Sequence, residues 1–210
     1  MENKNLLLIK ASPRQDRSRS GQLAEKFLSE WQKSNPSAEV IRRDVSPGNI
    51  QGPDQEWVEA NLTDDALKTD KQIQKLSNSD LYIDEIKSAS HIVISTPMYN
   101  FSTPWNLKAY IDNVVREGKT FYYSVETSHG PLLPAGKKIL LISTAAGDYS
   151  PGAEFGAYDL LTPTIATAFG FMGVQDFSHI HCGNREEAEH LKEASMKYAL
   201  EKIGEFSKAW

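Results

Sequence analysis

The chain has 210 residues, 40% of them hydrophobic and 24% charged, with a formal net charge of −5. That composition excludes general disorder, and the mild acidity offers no basic face for a nucleic-acid partner. No run approaches the roughly 20 apolar residues of a membrane span, and the single cysteine, Cys182, excludes an intrachain disulfide, so a cytoplasmic protein without a leader or membrane anchor is expected.

The first strand is predicted at Leu6-Leu7-Leu8-Ile9, a continuous apolar run of the kind buried on both faces of a sheet. A polar turn over 11–19 leads into a helix at 20–33 with Leu23, Phe27, Leu28 and Trp31 on one stripe, ended by Asn35-Pro36. A second strand is expected at 39–45, alternating less cleanly, and 46–55 reads as loop. Trp57 falls in this loop-rich middle, either as an aromatic lid or as a buried anchor. A helix follows at 69–88, then a third strand at 91–96 stopped by Pro97, then a helix at 104–117 with Pro104 at its start. The stretch 120–136 is a long excursion opening with Phe121-Tyr122-Tyr123. The fourth strand is 138–143, a glycine-bearing loop covers 147–156, and a helix covers 157–169. The fifth strand is 174–180, and a last helix runs over 185–209 with Glu186-Glu187 in its first turn, complementing the dipole.

Strands alternating with helices predict an α/β flavodoxin-like three-layer sandwich with a five-stranded parallel sheet in the order 2-1-3-4-5, forming a single domain over residues 1–210. Such sheets bind ligands beyond the carboxyl ends of their strands, where the strand order reverses. Three loops are therefore of interest. The first, Ser12 to Ser20, opens a helix and offers the hydroxyls of Ser12, Ser18 and Ser20 beside Arg19 and the free amides of a helix N-terminus, a phosphate cradle by physical logic. It carries neither a P-loop nor a dinucleotide glycine fingerprint. The second, Pro97-Met98-Tyr99-Asn100-Phe101, is bulky and apolar and suits the wall of a flat heterocycle. The third, Thr144-Ala145-Ala146-Gly147, is small enough for the ring's other edge to approach the backbone. Together they suit a mononucleotide with a flat ring, for which FMN is the best fit.

At this point the residues resemble a known family. Pro97-Met98-Tyr99-Asn100-Phe101, Leu107-Lys108, Ile111-Asp112 and Gly118-Lys119-Thr120-Phe121 resemble the signature of the FMN-dependent NADH azoreductases and quinone reductases. The Ser12 and Ser18-Arg19-Ser20 spacing, Gly136-Lys137-Lys138 and Phe169-Gly170-Phe171-Met172-Gly173 fit the same family. The resemblance implies a homodimer with two interfacial sites and one non-covalent FMN per subunit. It further implies NADH or NADPH as donor, a quinone or azo compound as acceptor, and ping-pong transfer of two electrons. Ser12, Ser18, Arg19 and Ser20 would hold the phosphate; Pro97 to Phe101 and Thr144 to Gly147 would border the ring; Phe121, Tyr123 and Phe171 would border the substrate cavity. No catalytic acid or base and no metal site is assigned. Two positions depart from the pattern: Thr144-Ala145-Ala146-Gly147 stands where the family often has Ser-Arg-Gly-Gly, and Tyr122 where it often has arginine. The alternatives are a flavodoxin-like electron carrier, inert to NADH on its own, and an NAD(P)H:FMN reductase that releases its flavin. His179 and His181 share one face of a strand by the twofold period, and satisfied polar groups are the expectation there.

Overall fold

The computed structural model describes residues 4–126, 128–184 and 186–210. Its elements, in chain order, are β1 (Leu6–Lys10), α1 (Arg19–Ser34), β2 (Val40–Asp44), α2 (Gln55–Leu62), α3 (Asp70–Ser88), β3 (His91–Pro97), α4 (Trp105–Val114), β4 (Phe121–Ser124), β5 (Ser128–Pro131), β6 (Lys138–Thr144), α5 (Leu161–Met172), β7 (Asp176–Cys182) and α6 (Glu189–Ala209).

Five strands form one parallel sheet in the order β2-β1-β3-β6-β7, which is the expected 2-1-3-4-5 once the β4-β5 hairpin is set aside. Alternation along the strands splits the core into two layers. Leu6, Leu8, Val93, Leu140 and Ile142 face α1 and α6, where they meet Leu23, Phe27, Trp31, Ala199 and Ile203. Leu7, Ile9, Ile92, Ile94 and Leu141 face Ile83 and Ile86 of α3, Tyr110 and Val114 of α4 and Phe169 of α5. Being covered on both sides is what makes β1, β3 and β6 read as unbroken apolar runs. β2 is one of the two edge strands, half-buried and carrying Arg42 and Arg43, which explains its weaker pattern and guards that edge.

The structure corrects several boundaries. A helix, α2, occupies the middle segment, capped by the Asp54 carboxylate accepting from the Trp57 amide at 2.9 Å. Trp57 is buried beneath the Arg116 guanidinium, 5.6 Å from its ring centroid, so it is an anchor and not a lid. α4 ends at Val114, and α5 begins at Leu161 rather than 157. α6 begins at Glu189, so Glu186 and Glu187 precede it, and Arg185 lies outside the described residues.

The excursion 120–136 contains the β4-β5 hairpin, in which Tyr122 pairs with Gly130 and Tyr123 with His129. The Tyr122 ring packs directly over Gly130, where a Cβ would lie 2.4 Å from it and displace it. The hairpin has two anchors. Both lie at its open end, where Phe121 pairs with Pro131: Gly173 adopts φ +112°, a Cβ on it standing 2.7 Å from Pro131, and buried Arg116 accepts the Thr120 amide on its carbonyl at 2.9 Å. The Arg116 side chain meanwhile donates to Asn61 Oδ1 at 2.8 Å, Ser79 Oγ at 2.8 Å and Asp80 Oδ1 at 2.6 Å.

Candidate functional site

The carboxyl ends of β1, β3 and β6 open into a cleft of about 790 Å³. The β1–α1 turn forms one side. Ser18 caps α1, its Oγ accepting from the Gly21 amide at 3.0 Å, and it also lies 3.1 Å from Ser20 Oγ. The amides of Arg19 and Ser20, in the first turn, have no backbone acceptor among the described residues. Unpaired helix-terminal donors of this kind, reinforced by the dipole, favour an anion. Arg14, Arg17 and Arg19 line the same side, and none of them forms an ion pair among the described residues. Asp16 and Glu186 are the acidic residues of the lining. Beneath the turn lies a second chamber of about 240 Å³, where the fully buried Ser95 hydroxyl has no hydrogen-bond partner among the described residues.

The second side is the loop after β3. Pro97, Met98 and Tyr99 line the cleft, and the Met98 amide donates to the Thr144 carbonyl at 2.8 Å. Tyr99 and Ser102 exchange backbone hydrogen bonds at 3.1 and 3.0 Å around Asn100 (φ 47°) and Phe101 (φ 70°). Two consecutive positive φ values define a type I′ turn, which asparagine accepts easily and phenylalanine does not. Strain of this sort, on the order of 1–3 kcal/mol per residue, gathers at ligand sites. The turn is held by the Phe101 carbonyl, which accepts from the Leu160 amide at 2.9 Å, and by the Phe101 ring beside Tyr149 and Tyr158.

The third side is the end of β6, where Thr144, Ala145 and Ala146 border the cleft. Bonds from the Ala145 amide to the Cys182 carbonyl and from the Glu186 amide to the Ala146 carbonyl tie it to the end of β7 and the segment that follows.

The structure thus brings Ser12, Ser18, Arg19, Pro97, Met98, Tyr99, Thr144, Ala145 and Ala146 around one space. Ser20 is fully buried beneath the turn, Asn100 and Phe101 form the turn beyond the rim, and Gly147 sits behind the third loop, its carbonyl bound by the Asn184 amide. Phe121, Tyr123 and Phe171 also come together, with ring centroids 5.3 Å apart for Phe121–Tyr123 and 4.8 Å for Phe121–Phe171. His129 stacks on Phe171 at 4.5 Å. This cluster is separate from the cleft: Leu160 touches the second loop, whereas Phe171 lies at the far end of α5, about 15 Å along the axis at 1.5 Å per residue. The lining residues that sequence reasoning passed over are Arg14, Arg17, Asp16, Gln22 and Glu186. Arg14 and Arg17 sit inside the turn after β1, where their charge was the available signal.

Among the described residues, no helix is long and apolar enough to cross a membrane. A family described as having a flavodoxin-like fold matches residues 4–205. A relative from Nostoc sp., named an FMN-dependent NADH:quinone oxidoreductase, is 34% identical over 206 residues, covering 98% of this chain and 99% of the relative. A relative from Pseudomonas fluorescens, named FMN-dependent NADH:quinone oxidoreductase 1, is 35% identical over 210 residues, covering 98% and 99%. An azoreductase structure from Bacillus anthracis superposes with a TM-score of 0.87 at 22% identity, covering 99% of this chain and 100% of that one. A second structure from Bacillus anthracis, described as an FMN-dependent NADH-azoreductase in complex with FMN, superposes with a TM-score of 0.87 at 21% identity, covering 98% of each chain. By sequence and by architecture, the chain belongs to the flavodoxin-like fold family.

Proposed function

We propose that this chain is an FMN-dependent oxidoreductase that passes two electrons from NADH or NADPH to quinones and azo compounds. The observation that carries the reading is the meeting, at the point where the strand order reverses, of an anion-ready helix terminus with an apolar wall. The cleft volume of about 790 Å³ suits a mononucleotide, and the unpaired Arg19 and Ser20 amides suit its phosphate. The names of the relatives at 34% and 35% identity support the same assignment.

In this reading Ser12, Ser18, Arg19 and Ser20 hold the phosphate, with Ser20 turning its hydroxyl away from Ser18. Pro97, Met98, Tyr99, Asn100 and Phe101 wall one edge of the ring, and Thr144, Ala145, Ala146 and Gly147 border the other. When bound, the flavin supplies the two-electron chemistry, and the protein supplies position and field. The order is ping-pong, with donor and acceptor entering the one cleft in turn. Phe121, Tyr123 and Phe171 border the substrate space from a second copy of the chain. Their distance from the cleft in one chain supports this, as do the exposed Trp105 (60%), Tyr123 (62%), Tyr158 (56%) and Leu160 (55%), which a homodimer would cover. The whole chain, 1–210, acts as a single domain, and the cytoplasm suits its one free thiol.

The test is an absorbance spectrum of the purified protein, followed by NADH and then a simple quinone in one cuvette. A yellow protein that bleaches with NADH and recolours with quinone is expected. A colourless protein that takes up no added FMN refutes the cofactor, and one that binds FMN but ignores NADH is a carrier instead.

A further inference from the structure

Behind the third loop, β6 and β7 carry a hydrogen-bond chain that the cleft lining does not use. Ser143 Oγ lies 2.8 Å from His179 Nε2 and 3.0 Å from His181 Nδ1. The Tyr149 amide donates to His181 Nε2 at 3.3 Å, and Thr162 Oγ1 lies 3.3 Å from His179 Nδ1. A backbone amide only donates, so His181 Nε2 is bare and its proton sits on Nδ1. That proton goes to Ser143 Oγ. The serine's own proton then goes to His179 Nε2, and His179 keeps its proton on Nδ1, facing the Thr162 hydroxyl. One assignment satisfies every donor, and both imidazoles are neutral in it. Burial favours this state, pushing His179 down to about 4 and His181 below its ordinary range.

The chain ends where the cleft begins. Up to Gly147 the third loop is bonded to its neighbours through Ala145, Ala146 and Gly147. Beyond Gly147, the Tyr149–His181 bond is the next tie back to the sheet, since Asp148 Oδ1 serves the Ser150 amide. The Tyr149 ring is 6.2 Å from that of Phe101 and 6.2 Å from that of Phe155.

We propose that His181 is a positioning residue for the cleft: its bare Nε2 holds the Tyr149 amide, and through the Tyr149–Phe101 ring contact it steadies the turn that follows Tyr99 on the cleft wall. The inference rests on the flavin reading of that cleft. Protonation turns Nε2 from acceptor into donor. The Gly147 carbonyl, already a backbone hydrogen-bond partner that favours the charged His181 ring, is then the acceptor at hand. The Tyr149 amide is thereby released. The groups facing His181 are the Asp148 carboxylate of the third loop, Asp159 ahead of α5, His179 of β7 and the uncharged Ser143 of β6. The two carboxylates assist protonation, and burial opposes it.

The experiment compares wild type with His181→Gln, which keeps an acceptor at every pH, and His181→Phe, which keeps a ring and loses the acceptor. FMN affinity is read from flavin fluorescence between about pH 8 and 4.5, and the melting temperature of each FMN-free protein is recorded alongside. His181→Phe is expected to weaken FMN binding roughly 2- to 10-fold at pH 8, and His181→Gln to stay within about twofold of wild type. The phosphate of FMN itself titrates near pH 6 in every variant, so the diagnostic is the difference: at the acid end wild type loses affinity that His181→Gln retains. Wild-type affinity in His181→Phe, or superimposable pH profiles for wild type and His181→Gln, overturns the proposal, and the second comparison stands even if the phenylalanine variant does not fold. A wild-type protein that takes up no FMN at any pH overturns the flavin reading and this inference together, whereas failure confined to the variants overturns the role of His181 alone.

Discussion

Replacing Arg116 with alanine removes the clasp that ties α2, α3 and the hairpin entry together. The side chain is only 2% exposed. Its bonds to Asn61 and Ser79 are neutral-partner hydrogen bonds worth about 1 kcal/mol each. The Asp80 carboxylate is 45% exposed, so that ion pair contributes less than about 1 kcal/mol, because water resolvates the carboxylate once the arginine is gone. Stacking over Trp57 adds about 0.5–1 kcal/mol. The total is about 3 kcal/mol, or a fall of roughly 6–12 °C in Tm for a domain of this size. Arg116→Lys keeps the charge but not the fork, and should lose about half as much. Urea or thermal unfolding measures both. Hydrogen exchange adds a spatial readout, since the Thr120 amide, bonded to the Arg116 carbonyl, should lose protection along with the β4-β5 hairpin. A loss under about 1 kcal/mol in Arg116→Ala, with hairpin exchange unchanged, refutes the clasp.

Three further perturbations follow from the geometry. Ser18→Ala removes the α1 cap and should cost about 1 kcal/mol in chemical denaturation while weakening FMN uptake by direct titration; unchanged uptake removes Ser18 from the phosphate site. Gly173→Ala forces a side chain onto φ +112° and toward Pro131, and a loss of about 1–3 kcal/mol is expected; a neutral result means that the hairpin moves freely on α5. His91 is buried, and that burial, followed by nearby Lys4 and Lys138, pushes its pKa down to about 4. The unfolded chain therefore binds the extra proton between pH 6.5 and 4, and stability should fall by up to about 3 kcal/mol as pH drops through that window. His91→Phe should lose correspondingly less in urea midpoints taken at pH 7 and 4.5, and equal losses would exclude His91 as the source.

The parts of the fold that were legible in the sequence are those where a single physical cause dominates. β1, β3 and β6 declare themselves because burial on both faces gives each an unbroken run of four or three aliphatic residues, and Pro97 and Pro104 punctuate the loop and helix that follow β3. The cleft was legible for the same reason, since its loops follow those strands directly. The hairpin was not: Phe121-Tyr122-Tyr123-Ser124 against Ser128-His129-Gly130-Pro131 has no alternation, and its order comes from Arg116, Gly173 and the register that lays Tyr122 on Gly130. α2 escaped because its Asp54 cap precedes only two turns with two buried side chains. The twofold period placed His179 and His181 on one face, but their common partner, Ser143, comes from the neighbouring strand by register, which local pattern does not carry.

The left-handed turn at Asn100-Phe101 has a consequence for kinetics. Its unfavourable backbone is adopted during folding, held by Leu160, Tyr149 and Tyr158, so the rim has its final shape before any ligand arrives. No ordering step then separates encounter from capture. Uptake should proceed in one phase, its observed rate rising linearly with ligand concentration and reaching no plateau, and a residue free to relax at position 101 would convert that line into a curve.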